Sequence, residues 1–260
     1  MNIVVCIKQV PDTTEVKLDP KTGTLIRDGV PSIINPDDKA GLEAALRLKD
    51  EKGAKVTVVS MGPPQADLAL REALAMGADE AILVTDRAFG GADTWATSST
   101  LAAALKNLDY DLIVTGRQAI DGDTAQVGPQ IAEHLKLPNI SYAEEIKVDG
   151  DTIVVKRQYE DRYDLLKAKL PILITALAEL NKPRYMSPGG IFDAYREKEV
   201  KIWTLKDLDV DLNNIGLKGS PTKVKKSFTK GAKQAGKVYN LDPQESAEVI
   251  VNKMKEKFIL

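Results

Sequence analysis

The chain has 260 residues, 43% hydrophobic and 28% charged, with a formal net charge of -2; aromatics are 5%. That length supports one α/β domain with an extension or two small domains, and the balanced charge and scarce aromatics argue against a nucleic-acid surface. One cysteine, Cys6, and one histidine, His134, exclude an internal disulfide, a cysteine-held zinc or iron–sulfur centre and a multi-histidine metal site.

In chain order, Ile3 to Ile7 is a continuous apolar run, expected as a strand buried on both faces. It turns polar at Lys8, too soon for a secretory signal, and no run is long enough to cross a bilayer. A protein of a reducing compartment, cytoplasmic and without membrane contact, is the expectation. Val16 to Ile26 reads as a hairpin around Asp19-Pro20-Lys21-Thr22-Gly23. Asn35-Pro36-Asp37-Asp38 then opens a helix, with Asn35 as N-cap, Pro36 in the first position and two aspartates at the positive end of the dipole. Leu42, Ala45, Leu46 and Lys49 keep helical spacing, Glu43 and Arg47 can pair on an exposed face, and Gly53 ends the helix.

Strands are expected at Val56–Ser60, Ala81–Thr85 and Leu112–Thr115. Helices are expected at Ala66–Met76, from Asp93 or Thr94 to about Asn107, and from about Thr124 to Lys136. Strands alternating with helices predict an α/β fold, a mostly parallel, doubly wound sheet whose core reaches about Pro138. Asp149-Gly150 marks an added antiparallel hairpin between Ile146–Val148 and Thr152–Arg157, and Leu170–Leu177 is a further candidate buried strand. From Lys182 to Ser220 the periodicity weakens, and Lys223 to Lys237 is basic and polar. A last helix is capped by Asp242, with Ala247, Ile250, Val251, Met254 and Phe258 on one stripe. The expected division is a nucleotide-binding domain over 1–185 and an extended C-terminal arm over 186–260. Such an arm has little core of its own and needs a surface, either a partner chain or its own domain.

The segment Gly116-Arg117-Gln118-Ala119-Ile120-Asp121-Gly122-Asp123-Thr124-Ala125-Gln126-Val127 carries the most information. It follows a strand's carboxyl end and leads into a helix, where open parallel sheets bind ligands and where free N–H groups attract phosphate. Gly122, Thr124 and Ala125 are small enough to let a pyrophosphate approach the backbone, and Arg117 adds charge and planar hydrogen bonding. Neither Gly-x-Gly-x-x-Gly nor Gly-Lys-Ser/Thr is present, so neither common phosphate fingerprint applies. A nucleotide loop and a polar loop that only caps a helix fit these residues equally well. Three other segments are weaker candidates: Asn35–Asp38, Ser60-Met61-Gly62-Pro63, and the run from Ala92 to Ser99 with Asp93, Thr94 and Thr97. Cys6 and His134 read as structural, and no Ser-His-Asp or Cys-His arrangement is supported by the spacing.

Several segments resemble one family, the beta subunit of electron-transferring flavoproteins. They are Val5-Cys6-Ile7-Lys8-Gln9-Val10-Pro11-Asp12-Thr13, Ile34–Asp38, Ala44-Ala45-Leu46-Arg47-Leu48-Lys49, Ala75-Met76-Gly77-Ala78-Asp79, Gly116–Asp121, Leu180-Asn181-Lys182-Pro183-Arg184-Tyr185 and Gly219-Ser220-Pro221-Thr222-Lys223-Val224. The resemblance covers nearly the whole chain. It implies an obligate heterodimer with an alpha subunit that carries a redox FAD. It also implies an adenine nucleotide held here by the segments around Cys6, Asn35–Asp38, Met61 and Gly116–Val127. In ordinary members that ligand is AMP, with a structural role, and the protein carries electrons between a dehydrogenase and a quinone oxidoreductase. In electron-bifurcating members it is a second FAD that takes a hydride from NADH. One electron then goes to ferredoxin or flavodoxin, and the other passes through the alpha FAD to an acyl-CoA dehydrogenase.

Asp121-Gly122-Asp123-Thr124-Ala125-Gln126-Val127-Gly128-Pro129 has smaller side chains than the phosphate loop of ordinary members. The Gly91–Ser98 segment and the Val10-Pro11-Asp12-Thr13 turn also resemble the bifurcating kind. FAD is therefore the expected cofactor, with Asp93, Thr94 and Thr97 near it and no side chain assigned to acid–base chemistry. One departure stands out. In Tyr185-Met186-Ser187-Pro188-Gly189-Gly190-Ile191-Phe192, Pro188 occupies the position of the leucine that mitochondrial-type members plug into the dehydrogenase. Ile191 and Phe192 are the alternative apolar anchors.

Overall fold

The structure, a computed structural model, describes residues 1–12, 31–225 and 236–260. The hairpin expected at Val16–Ile26 and most of the basic stretch after Lys225 lie outside these residues. The chain divides into a main unit, Met1–Lys225, and a second unit, Lys226–Leu260.

In chain order the main unit comprises β1 (Asn2–Cys6), β2 (Gln9–Pro11), β3 (Ser32–Ile34), α1 (Pro36–Lys52), β4 (Lys55–Met61), α2 (Asp67–Met76), β5 (Glu80–Val84), α3 (Thr94–Leu105), β6 (Leu112–Gly116) and α4 (Val127–Leu135). It continues with β7 (Asn139–Asp149), β8 (Thr152–Gln158), β9 (Tyr163–Lys169), β10 (Ile172–Ala176), α5 (Pro188–Arg196) and β11 (Val200–Trp203). Nine strands form one sheet in the order β11-β5-β4-β1-β6-β10-β7-β8-β9. It is parallel from β11 to β7 and antiparallel from β7 to β9. β2 and β3 form a separate antiparallel pair.

The strands read as continuous apolar runs because both faces are covered. Alternate residues serve opposite cores. Ile3, Val5, Val56, Val58, Leu112 and Val114 pack with α1 and α2, whereas Val4, Val59, Ile82 and Ile113 pack with α3 and α4. A strand of period two between two helical layers can have no polar face. Gly41 shows how closely α1 sits on the sheet: an added Cβ would meet Val114 Cγ1 at 2.8 Å. The helix gives up some propensity there for contact with β6.

Several boundaries differ from the sequence reading, each for a physical reason. The central sheet does not close at Pro138. β10, from the candidate strand at Leu170–Leu177, inserts between β6 and β7, a non-local pairing invisible to local pattern. The compact unit runs to Lys225, well past the boundary expected at Tyr185, because α5 packs on α2 and β11 pairs with β5 as the sheet edge. Both are short, and β11 offers only four residues, too few to show a period. The helix expected from Thr124 begins at Val127, since Asp123 and Ala125 have positive φ of 54° and 53° and cannot be helical. Glu43 is not on an exposed face: it is buried, and Arg184 joins Arg47 as its partner.

The second unit holds one described helix, Pro243–Glu256, capped as expected by Asp242, which accepts from the Gln244 and Glu245 N–H groups. Phe258 lies beyond its end at φ 56°, off the expected stripe. Among the described residues of this unit, nothing buries Ile250 or Val251. Within the described residues no helix is long and apolar enough to cross a membrane.

Candidate functional site

β1 and β6 are neighbours, but β1 leads on to β4 on one side while β6 opens toward β10 on the other. This is the topological switch point, and the carboxyl ends of β1 and β6 frame a crevice there. Three elements of the sequence reading meet at it: the residues after β1, the first turn of α1, and the loop from Gly116 to Gln126.

Asn35 was expected as an N-cap, and its side chain makes no capping bond. It is fully buried and turned toward the loop: Oδ1 accepts from the Ile120 N–H at 3.0 Å and Nδ2 donates to the Gln118 carbonyl at 2.8 Å. A buried amide satisfied on both sides fixes the loop's path, and Pro36 needs no cap for its missing N–H.

Asp38 is also buried. Its Oδ2 accepts from the Lys8 N–H at 2.7 Å and its Oδ1 from the Gly116 N–H at 2.9 Å. One carboxylate thus joins the end of β1 to the end of β6. Burial pushes its pKa up to about 7, against the lowering effect of the Lys8 amide, the Asn35 side chain and the Gly116 amide. Gly116 is obligatory here, since a Cβ would lie 2.1 Å from Asp38 Oδ1 and 2.8 Å from Asp38 N. Gly128, at the start of α4, is equally constrained, with Thr115 Oγ1 at 2.5 Å from its notional Cβ.

The loop's other contacts hold it as a unit. Lys8 Nζ pairs with Asp121 Oδ1 at 2.6 Å, Gln118 donates to Asp123, and Ala119 O accepts from the Gly122 and Asp123 N–H groups. Gly122 itself faces open space. Ala125 in the left-handed region followed by Gln126 in the right-handed one turns successive N–H groups the same way, a geometry suited to an anion. The amino end of α4 stands next to it at Val127, where the first helical N–H groups have no carbonyl within the helix.

Three buried polar atoms around the crevice lack a hydrogen-bond partner: Ser60 Oγ at the end of β4, Asp37 Oδ2 and Arg117 Nε. Arg117 Nε stands 3.4 Å from Asp37 Oδ2, an ion pair without a well-formed hydrogen bond. Burial raises the Asp37 carboxyl above its ordinary range in spite of Arg117. Met61 follows Ser60, half-buried against the α3–α4 core.

The start of α3 adjoins the same rim, because Thr94 Oγ1 bonds Gln126 Oε1 at 3.0 Å. Asp93 is committed elsewhere: Oδ1 caps Ala96, and Oδ2 accepts from the Thr222 N–H and hydroxyl. Burial raises its carboxyl pKa, and the bonds from Ala96 and Thr222 outweigh that and hold it below the usual range. Thr97 lies one turn on, half-buried, its N–H on Asp93 O. Cys6 faces the α3–α4 core, and burial, with the Asp38 charge, pushes its thiol up to about 12, so it is not a nucleophile. His134 bonds Ser98 and Ser99 through Nε2 and meets Trp95 edge-on at 4.9 Å. His134, Ser99 and Trp95 line a hollow of about 210 Å³ along α3.

The sequence reading named Ser60 only within a weaker candidate segment and Glu43 only as a surface partner of Arg47, and it gave Lys8 no site role. Lys8 and Ser60 carry a positional signal, standing at or just past the carboxyl ends of parallel strands. Glu43 carries none, because its partner Arg184 is distant in sequence. Arg184 Nε bonds Glu43 Oε2 at 2.8 Å and its NH2 bonds Asp50 at 2.7 Å. The segment so anchored displays Tyr185, Met186, Ile191, Phe192 and Tyr195 to solvent.

The electron transfer flavoprotein domain matches residues 22–208. The chain belongs to the electron transfer flavoprotein family. It is 64% identical to the electron transfer flavoprotein subunit beta of Clostridium acetobutylicum, over 98% of both chains. It is 57% identical to the caffeyl-CoA reductase-Etf complex subunit CarD of Acetobacterium woodii, over the full length of both. It is also 47% identical to the acryloyl-CoA reductase electron transfer subunit gamma of Anaerotignum propionicum, again over both full lengths. The chain is an electron transfer flavoprotein beta subunit, and such subunits partner with an alpha subunit.

Proposed function

We propose that this beta subunit holds FAD in the switch-point crevice and works in an electron-bifurcating complex. The observation that carries the reading is the loop from Gly116 to Gln126 at the carboxyl end of β6, held in place by Asn35, Asp38 and Lys8. The pyrophosphate is assigned to the N–H groups from Thr124 to Gly128, with Arg117 beside them. Ser60 Oγ, buried and without a hydrogen-bond partner, and Asp37 Oδ2, whose only contact of this kind is the 3.4 Å ion pair with Arg117, are suited to adenosine hydroxyls or amine. Asp93 shapes the rim from behind, and Thr94 and Thr97 stand on the side from which a flavin ring would extend.

A flavin bound here would supply hydride acceptance from NADH and one-electron transfer, toward ferredoxin or flavodoxin and toward the alpha-subunit FAD. Relatives named for caffeyl-CoA reductase and acryloyl-CoA reductase support an acyl-CoA-linked dehydrogenase as the partner. Exposed Ile191 and Phe192 on α5 are the proposed docking anchors, and the C-terminal arm with its uncovered Ile250 and Val251 is proposed to pack on the alpha subunit. The second reading, AMP in a structural role, keeps the same crevice without a redox group. Co-purification with the alpha subunit, denaturation and counting of released cofactors separates the two. Two FAD per heterodimer, both reducible by NADH, is the expected result. One FAD with one AMP makes the protein an ordinary carrier, and the absence of any adenine nucleotide from this subunit overturns the site.

A further inference from the structure

Asp38 sits at the crevice yet offers nothing to a ligand. Both its oxygens face inward, one to the Lys8 N–H at 2.7 Å and one to the Gly116 N–H at 2.9 Å, and the residue is only 7% exposed. The space a Cβ on Gly116 would take is filled by Oδ1. We propose that Asp38 is a positioning residue: its ionised carboxylate holds the ends of β1 and β6 together, and nucleotide retention in the crevice follows the protonation of this one buried acid. The inference rests on reading the crevice as an adenine-nucleotide site.

The chemistry is a matter of donors and acceptors. An ionised carboxylate accepts at both oxygens, so it satisfies two amide N–H groups at once. Protonation turns one oxygen into a donor, which then faces an amide donor, and either Lys8 or Gly116 loses its bond. Both losses reach the loop. Gly116 begins it, and Lys8 is bonded through Nζ to Asp121 within it.

The groups facing Asp38 come from every element around it. α1 contributes the charge of Asp37, which pairs with Arg117; β1 contributes Cys6, a neutral thiol packed on the α3–α4 side that feels the Asp38 charge; and Lys8 beyond β1 turns its Nζ to Asp121 in the loop. None of these cations bonds the Asp38 carboxylate, so burial dominates and brings its titration to about pH 7. The sign is distinctive. Because the folded pKa lies above the unfolded one, the folded state holds a proton that the unfolded chain releases, and this group's contribution to global stability falls as pH rises through 7. The crevice behaves oppositely, tightening as pH rises. Acid therefore loosens the nucleotide without unfolding the domain.

The test uses the heterodimer with its alpha subunit, wild type and Asp38→Asn, with release of AMP and FAD into ultrafiltrate followed at about pH 8 and about pH 6. Wild type should release its beta-subunit nucleotide about tenfold faster at the lower pH, the effect of losing one charge-assisted hydrogen bond in part. Asp38→Asn should release it at the higher pH as fast as wild type does at the lower, with no dependence on pH. The same pH profile in both proteins overturns the proposal. If the variant does not assemble, amide exchange on wild type decides: protection at Lys8 and Gly116, corrected for intrinsic rate, should drop at the lower pH, and unchanged protection overturns the proposal. Wild type without adenine nucleotide at either pH would overturn the nucleotide reading instead, and the same amide exchange would still decide the clamp.

Discussion

α1 anchors two surfaces in opposite ways. At its first turn, Asn35 and Asp38 turn fully inward and hold the loop that follows β6. Nearly two turns on, Glu43 holds Arg184, and the segment so fixed turns its side chains outward, with Tyr185 93% and Phe192 59% exposed. The first arrangement suits a small anion-bearing ligand, which is recognised by N–H groups and tolerates no intruding side chain. The second suits a protein partner, recognised by aromatic and aliphatic area. In both, a buried polar group of α1 sets the geometry and a neighbouring segment makes the contact.

The largest effect should come from Gly116→Ala, whose methyl collides with Asp38 backbone and carboxylate together. A loss of about 3 kcal/mol in urea unfolding is expected, with loss of nucleotide. Near-normal stability would mean that the strand ends are looser than described. Next is Glu43→Ala, which leaves the partly exposed Arg184 guanidinium with Asp50 as its remaining partner and should cost roughly 2 kcal/mol. Its nucleotide content should be unchanged while electron delivery to the dehydrogenase falls. A parallel loss of nucleotide would erase the distinction between the two surfaces.

Asn35→Ala leaves the Ile120 N–H and Gln118 carbonyl unpaired, an expected cost of about 1–3 kcal/mol with release of nucleotide. Because Asn35 makes no capping bond, amide protection in the first turn of α1 should persist; fraying there would return Asn35 to the capping role. The smallest effects on stability, within about 0.5 kcal/mol, are expected for Gly122→Arg and Phe192→Ala, both at open positions. They should divide by function. Gly122→Arg empties the crevice and spares docking, whereas Phe192→Ala weakens docking and spares the nucleotide, as cofactor counts and steady-state rates with the acyl-CoA-linked dehydrogenase would reveal.

The sequence by itself determined what is local or periodic. Apolar runs of strand length between amphipathic helices specify a two-faced parallel sheet, as Val4 and Val5, serving opposite cores, bear out. It marked the loop after β6 as the informative one and supplied the ordered motifs by which the family is recognised. Only the tertiary structure decided what those residues touch. That Asn35 serves a loop rather than its helix, that Asp38 joins two strand ends, and that Glu43 belongs to Arg184 all depend on partners 30 to 141 residues away in the chain. The placement of β10 between β6 and β7 and of β11 at the sheet edge is of the same kind. Hydrogen bonding and strand pairing are satisfied in space, so a residue's chemistry can be read from the sequence while its partner is fixed only by the fold.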